Sequence, residues 1–243
     1  MEYHHKNESS LPYESLEPSF GISKKLILTI LGVFFALVIV LPFFFGVNDA
    51  NTVTVIQYPW NTFSVKKDHG IYFTWGGKAT VYEKSLTYSF LTSEDEGIPV
   101  RFNDGGMGRA SGVDMFWMPA NEAEILKVHL AYGRHEEVVE ALIKPLTRDV
   151  MALTAVLMSS EEAKEPFNKE KFAQQVHDQL VNGHYAVQVD TVRVEDRNGK
   201  SEKIMRPIIR RDSDGRPLYG KNWLSEYGIT VKLLDVKDLK VCN

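Results

Sequence analysis

Residues 26–47 read LILTILGVFFALVIVLPFFFGV, an apolar run without a charged side chain. At about 1.5 Å per helical residue the run reaches roughly 33 Å, against about 30 Å for a bilayer core. Its reading divides the chain, because a segment lodged in lipid leaves the fold to be built from the residues after Val47. A buried core helix is usually shorter and shows a polar face. A cleaved secretory signal needs a basic leader and a small-residue cleavage site. Here the preceding stretch mixes Glu2, Lys6, Glu8, Glu14 and Glu17, and the run closes in the bulky Pro42-Phe43-Phe44-Phe45-Gly46. An uncleaved transmembrane helix over 26–47 is therefore expected, with Leu26, Ile30, Phe34, Leu37, Leu41, Phe45 and Val47 as anchor residues. Pro42 is expected to kink it or end it one turn early.

Outward from the run, Lys24 and Lys25 abut its N-terminal side, whereas Asp49 comes after it and no Lys or Arg appears until Lys66. The positive-inside rule then places residues 1–25 in the cytoplasm and the main domain in the periplasm or an equivalent space. Residues 1–25 carry Gly, Pro, Ser and mixed charge without periodicity and read as an unstructured tail. The stretch 50–243 is long enough to bury a sizeable core of its own. Net charge is −4 with both signs interspersed. No basic stripe supports nucleic-acid binding. The single Cys242 excludes an intramolecular disulfide and any cysteine-based zinc cluster.

Past the run the pattern turns β-rich. Thr52 to Tyr58 alternates, and Gly70–Phe73, Ala79–Tyr82, Leu86–Phe90, Ile98–Asn103 and Val113–Met118 read as further strands, with turns at Gly76-Gly77 and at Ser93–Gly97. The period changes after Pro119. Asn121 caps an expected helix with Glu124 at its third position. A second helix is expected from His135 to Met158, bent at Pro145, and a third from Asn168 to Leu180, stopped at Asn182-Gly183. Ser159 to Glu162 reads as a break with cap chemistry. Tyr185–Val194 and Ile204–Arg210 read as a hairpin about Asn198-Gly199. A turn at Asp212–Gly215, a short helix Asn222–Tyr227 closed by Gly228, and a final strand Ile229–Val241 complete an α+β pattern with a mostly antiparallel sheet.

Val53-Thr54-Val55-Ile56-Gln57, followed by Gly70-Ile71-Tyr72-Phe73, resembles the entry strands of the SPFH or band 7 domain. The run Trp223-Leu224-Ser225-Glu226-Tyr227-Gly228-Ile229-Thr230-Val231 is similar to that family's helix end, glycine and last strand, and Val138 to Leu157 falls where its helix pair stands. The resemblance covers roughly residues 50–241. It implies a prohibitin- or stomatin-like, non-enzymatic membrane scaffold. Such a protein assembles laterally as a homo- or hetero-oligomer, organises the bilayer, and encloses or regulates a membrane partner such as a protease. Family members continue into a long coiled coil. This sequence stops at Asn243, where that coil would begin, and is expected to be either a truncated chain or a short form that keeps domain-to-domain contacts for assembly. The alternative is a monomeric anchored binding module or inhibitor, of bacterial or phage origin, using the charged hairpin Asp196–Arg216 as its contact surface.

Motifs for chemistry are incomplete. Gly105–Gly112 lacks the Lys-Ser/Thr of a phosphate loop and reads as a flexible inter-strand loop, with Gly105 and Gly106 there for positive φ or close packing. Asp212-x-Asp214-Gly215 lacks the remaining calcium ligands. His135-Glu136-Glu137 lacks the second histidine of a metalloprotease helix, and no G-x-S-x-G occurs. No enzyme activity, cofactor or metal is expected. Tyr58, Trp60, Phe63, Tyr72, Phe73 and Trp75 are expected mostly in the sheet core. The other reading sets Tyr58 and Trp60 at the headgroup level as an aromatic belt flanking the membrane.

Overall fold

A computed structural model describes residues 23–90, 97–195 and 201–242. The expected tail over 1–22 and the turns at Ser93–Glu96 and Asn198-Gly199 lie outside the described residues. The chain divides into two units at Phe43/Phe44.

The first described element is helix α1, Lys24–Phe44, in which Lys24–Leu41 is long and apolar enough to cross a membrane. No side chain of that stretch is buried. The helix runs through Pro42 and ends two residues later, short of the expected Val47. Phe45 and Val47, expected as anchor residues, stand instead in strand β1, Phe45–Asn48. The uninterrupted apolarity hid this boundary, since composition alone does not separate a helix end from a short apolar strand.

The second unit is α+β. Strands β2 (Thr52–Gln57), β3 (Phe63–Lys66), β4 (Gly70–Phe73), β5 (Lys78–Glu83), β6 (Ser85–Phe90), β7 (Ile98–Arg101) and β8 (Met107–Trp117) come first. Helices α2 (Glu122–Tyr132), α3 (His135–Val138), α4 (Lys144–Ala155), α5 (Ser160–Lys164) and α6 (Pro166–Asn182) come next, with a π-helical turn, Val139–Ile143, joining α3 to α4. Strands β9 (Val187–Glu195) and β10 (Ser201–Ile209), helix α7 (Trp223–Glu226) and strand β11 (Thr230–Cys242) close the chain. Every strand pair is antiparallel. The long β8 is flanked on one edge by β11 and on the other by β6 and then β7, while β3–β2–β5, β1–β4 and β9–β10 form three smaller sheets.

Met107 to Gly112, expected as a flexible loop, is the first half of β8. Its glycines serve close approach. A Cβ at Gly112 would stand 2.2 Å from the Asp235 carbonyl oxygen, and one at Gly108 would stand 2.8 Å from that of Lys240. Glycine composition suggests mobility, but here it lets β11 seat against β8. Gly105, with φ +85°, makes the expected turn, and Gly106 packs against Ser160.

The helices obey their cap chemistry. Asn121 Oδ1 accepts the Ala123 N–H at 3.0 Å, and Ser159 and Glu162 form a reciprocal capping box that turns the expected break into α5. Pro145 lacks the N–H for a helical bond and crowds the preceding turn. The chain answers with the π turn, closed by the Lys144 N–H on the Val139 carbonyl. The extra residue rotates the buried face. Leu142 and Ile143 are both covered, then Thr147, Val150, Met151, Thr154 and Ala155, while Leu153 points out. Phe90, Phe116, Ile125, Ile143, Met151, Phe172, Leu180 and Leu239 are among the large side chains of the core.

Candidate membrane-contact site

The site begins where α1 ends. Leu26, Ile30, Phe34, Leu37 and Leu41 are exposed along the helix. Lys24 and Lys25 stand in its first turn, about 30 Å along the axis from Phe44 at 1.5 Å per residue.

Strand β1 pairs with β4 in the register Phe45↔Phe73, Gly46↔Tyr72, Val47↔Ile71 and Asn48↔Gly70. Directly opposed residues share a face. One face of this two-stranded ribbon therefore carries Phe45, Val47, Ile71 and Phe73, with no polar side chain among them. Val47 is 70% exposed and Ile71 77%. The Phe73 ring meets Phe45 at 5.0 Å, Phe44 at 5.8 Å and Trp75 at 4.6 Å. On the other face Tyr72 lies across Gly46, where a Cβ would come within 2.4 Å of its ring.

The turn after β4 continues the patch. Trp75 and Gly76 both have positive φ, +51° and +70°, and the Gly77 N–H closes the turn on the Thr74 carbonyl at 2.8 Å. A left-handed conformation at a bulky residue costs on the order of 1 kcal/mol. In that conformation the Trp75 indole stands outward, 62% exposed. The Thr74 N–H also donates to the Phe44 carbonyl at 2.7 Å, which fixes this turn to the start of the second unit. The β2–β3 turn lies at the same end of its sheet, because Gln57 pairs with both Lys78 and Phe63. It carries Tyr58 and Trp60, stacked at 4.9 Å and 3° with Trp60 61% exposed. Tyr58, Tyr72 and Trp75 border one open cavity of about 590 Å³.

A buried asparagine pins this end to the body of the domain. Asn48, 2% exposed, donates from its side-chain nitrogen to the carbonyls of Thr52, Lys66 and Asp68 at 3.3, 3.2 and 2.9 Å. Its Oδ1 accepts the hydroxyls of Thr52 and Thr54 at 2.8 and 2.9 Å. Both ends of the amide are thus satisfied, as a buried polar group requires.

Of the six aromatics assigned mostly to the sheet core, Phe63 packs half-buried against it and none is fully buried. Trp60 is exposed and Tyr58 half-buried, and Phe45, Val47, Ile71, Phe73 and Trp75 stand at their end of the unit. Those residues were missed as a set. The signal was present in the alternation Phe45-x-Val47 and Ile71-x-Phe73-x-Trp75, which places apolar side chains on one face with nothing in the sequence to say that the face lies open.

Elsewhere in the second unit, one acid is strongly perturbed. Asp114 of β8 is fully buried, and neither carboxylate oxygen has a hydrogen-bond partner among the described residues. Burial pushes its pKa up to about 7, and the Thr147 hydroxyl, short of good hydrogen-bonding geometry, offsets only part of this. Among the described residues no group of three or more His, Cys, Asp or Glu side chains could hold a metal ion. No protein-family model matches the chain, and no curated protein matches it.

Proposed function

We propose that this chain is a non-enzymatic, single-pass membrane scaffold with an SPFH or band 7 domain, in which α1 crosses the bilayer and the aromatic ribbon rests at the headgroup level. The observation that carries the reading is the succession of exposed apolar segments along the chain. A helix with no buried side chain over Lys24–Leu41 leads, without an intervening linker, into a ribbon whose open face is Phe45, Val47, Ile71 and Phe73, flanked by Trp75. Exposed apolar surface of this extent marks a contact with lipid or protein, and Trp and Tyr concentrate at membrane interfaces. Lys24 and Lys25 support a cytoplasmic N-terminus with the domain on the periplasmic or equivalent side.

Copies held in one membrane meet at high effective concentration, so weak lateral contacts suffice for assembly into homo- or hetero-oligomers. The free edge of β11 is a poor route, because it carries two bulges with Lys232, Lys237 and Lys240, features that discourage strand pairing. The β9–β10 hairpin is the better candidate, exposing Val189 and Met205 on one face. Such an assembly organises the membrane around it and encloses or restrains a partner such as a membrane protease.

Gentle extraction in a mild detergent followed by mass photometry tests this. The expected result is a set of discrete masses above the protomer that Met205→Asp shifts down. A monomer at every loading would overturn the scaffold and favour the anchored binding module, with the same hairpin taking a different protein.

A further inference from the structure

A groove of about 640 Å³ opens beside the start of β2, between Asn51, Lys67 and Lys84 on one side and the end of β8 on the other. Its walls are Val53, Met115, Trp117, Met118 and Pro119. The size falls within the range of small-molecule sites, about 300–1,000 Å³, and so does the make-up of an apolar body with few polar groups.

The groove's polar side chains are Asn51, Ser85 and two cations, Lys67 and Lys84. Lys84 is half-buried, and its Nζ donates to the carbonyls of Ala50 at 2.6 Å and Lys67 at 3.2 Å. An ammonium has three N–H donors, so one is left over. No carboxylate among the described residues forms an ion pair with Lys84, whereas Lys67 stands 3.5 Å from Glu122 and donates to the Ala120 carbonyl. A further ammonium, that of Lys232, lies 4.7 Å over the Trp117 ring. Charges withdrawn from water are ordinarily paired. Lys84 is held by neutral carbonyls at the edge of an apolar groove, a place that suits an anionic head group.

The geometry points to this groove as a binding site for a single-chain anionic amphiphile of the fatty-acid class, its carboxylate on Lys84 and its hydrocarbon against Val53, Met115, Trp117 and Met118. A peptide fits less well, since it would bring backbone N–H and C=O groups that these walls cannot pair. The bilayer is the source. Asn51 comes seven residues after Phe44, so the extended chain keeps the groove within about 25 Å of the end of α1. The source rests on the proposed anchoring, while the affinity does not.

Quenching by a dibrominated stearate tests the site, because bromine quenches an indole on contact. The full chain carries Trp60→Phe, Trp75→Phe and Trp223→Phe, leaving Trp117 as the sole indole, and is held in discs of unbrominated phosphatidylcholine. The acid is expected to quench about half or more of the emission in a saturable curve, and its methyl ester is expected to give no saturable phase. Lys84→Gln should raise the half-saturating concentration about tenfold, as loss of one charge-assisted hydrogen bond does. Ala120→Phe, which fills the groove without touching the Lys84 bonds, should abolish saturation. Equal quenching by acid and ester, or curves that neither substitution changes, would overturn the site. Saturable, Lys84-dependent quenching in protein that alkaline carbonate strips from membranes would uphold the site and remove the anchor. Absence of quenching in firmly integrated protein would do the reverse.

Discussion

Asp114 and Trp75 are two residues kept in unfavourable states, and they differ in what the cost achieves. Trp75 holds a left-handed backbone and displays an indole at the end of the ribbon. Asp114 lies under the helices with no partner for its carboxylate among the described residues, and it lines neither the groove beside β2 nor the cavity at the ribbon. Its pKa stands near 7 in the folded chain, against the ordinary 3.8, because burial penalises the charged form. The folded state therefore binds the proton more tightly. Its contribution to stability is complete below about pH 4 and is lost as pH rises through about 7. Asp114→Asn removes the charge. At pH 8 it should stabilise the domain by on the order of 2 kcal/mol, a shift of about three pKa units less the cost of a buried amide. At pH 5 it should be neutral or slightly destabilising. Thermal melts of both proteins in one detergent at the two pH values check this, and parallel curves would contradict it.

Among the elements, the β1–β4 ribbon carries the proposed function and depends on the Asn48 clasp. Asn48→Ala leaves the buried Thr54 hydroxyl without its acceptor and frees three carbonyls, a cost of about 2–4 kcal/mol. Asn48→Asp should cost more, because it buries a charge facing those same carbonyls. Hydrogen exchange should accelerate across β1 and β4 in both variants ahead of β8 and β11, and uniform acceleration would show that the clasp is not local. Legibility in the sequence obeys the same physics. Cap chemistry at Ser159 read as a break rather than as the start of α5, whereas strands β2, β4, β5 and β6 were readable from alternation bounded by turn residues, α2 from its cap at Asn121 and α7 from its closing Gly228. Strand β1 was not, because Phe45–Val47 prolongs the apolarity of α1 without a mark. The first half of β8 was hidden by glycines whose reason lies in a partner strand more than a hundred residues away. The π turn was readable only as the presence of Pro145, because which carbonyl the Lys144 N–H takes is decided by packing.

For the molecule as a whole, the division into an apolar helix and an α+β unit was plain from composition, whereas the candidate site was half visible. Tyr58 and Trp60 were in view as membrane-flanking residues. Phe73 and Trp75 were assigned to a core because aromatics on short strands usually are. Only the pairing of β1 with β4 turns Phe73 to the same face as Val47 and Ile71, and the left-handed turn after β4 leaves Trp75 exposed beside it. The proposed anchoring, lateral assembly and amphiphile capture are separable, but the first underlies the others, since a membrane anchor would supply both the two-dimensional concentration and the reservoir of lipid. Membranes bearing the full chain, washed in alkaline carbonate and sedimented, test it most directly. An integral α1 predicts that the protein stays with the pellet and is released only by detergent, and its recovery in the carbonate supernatant would contradict the span.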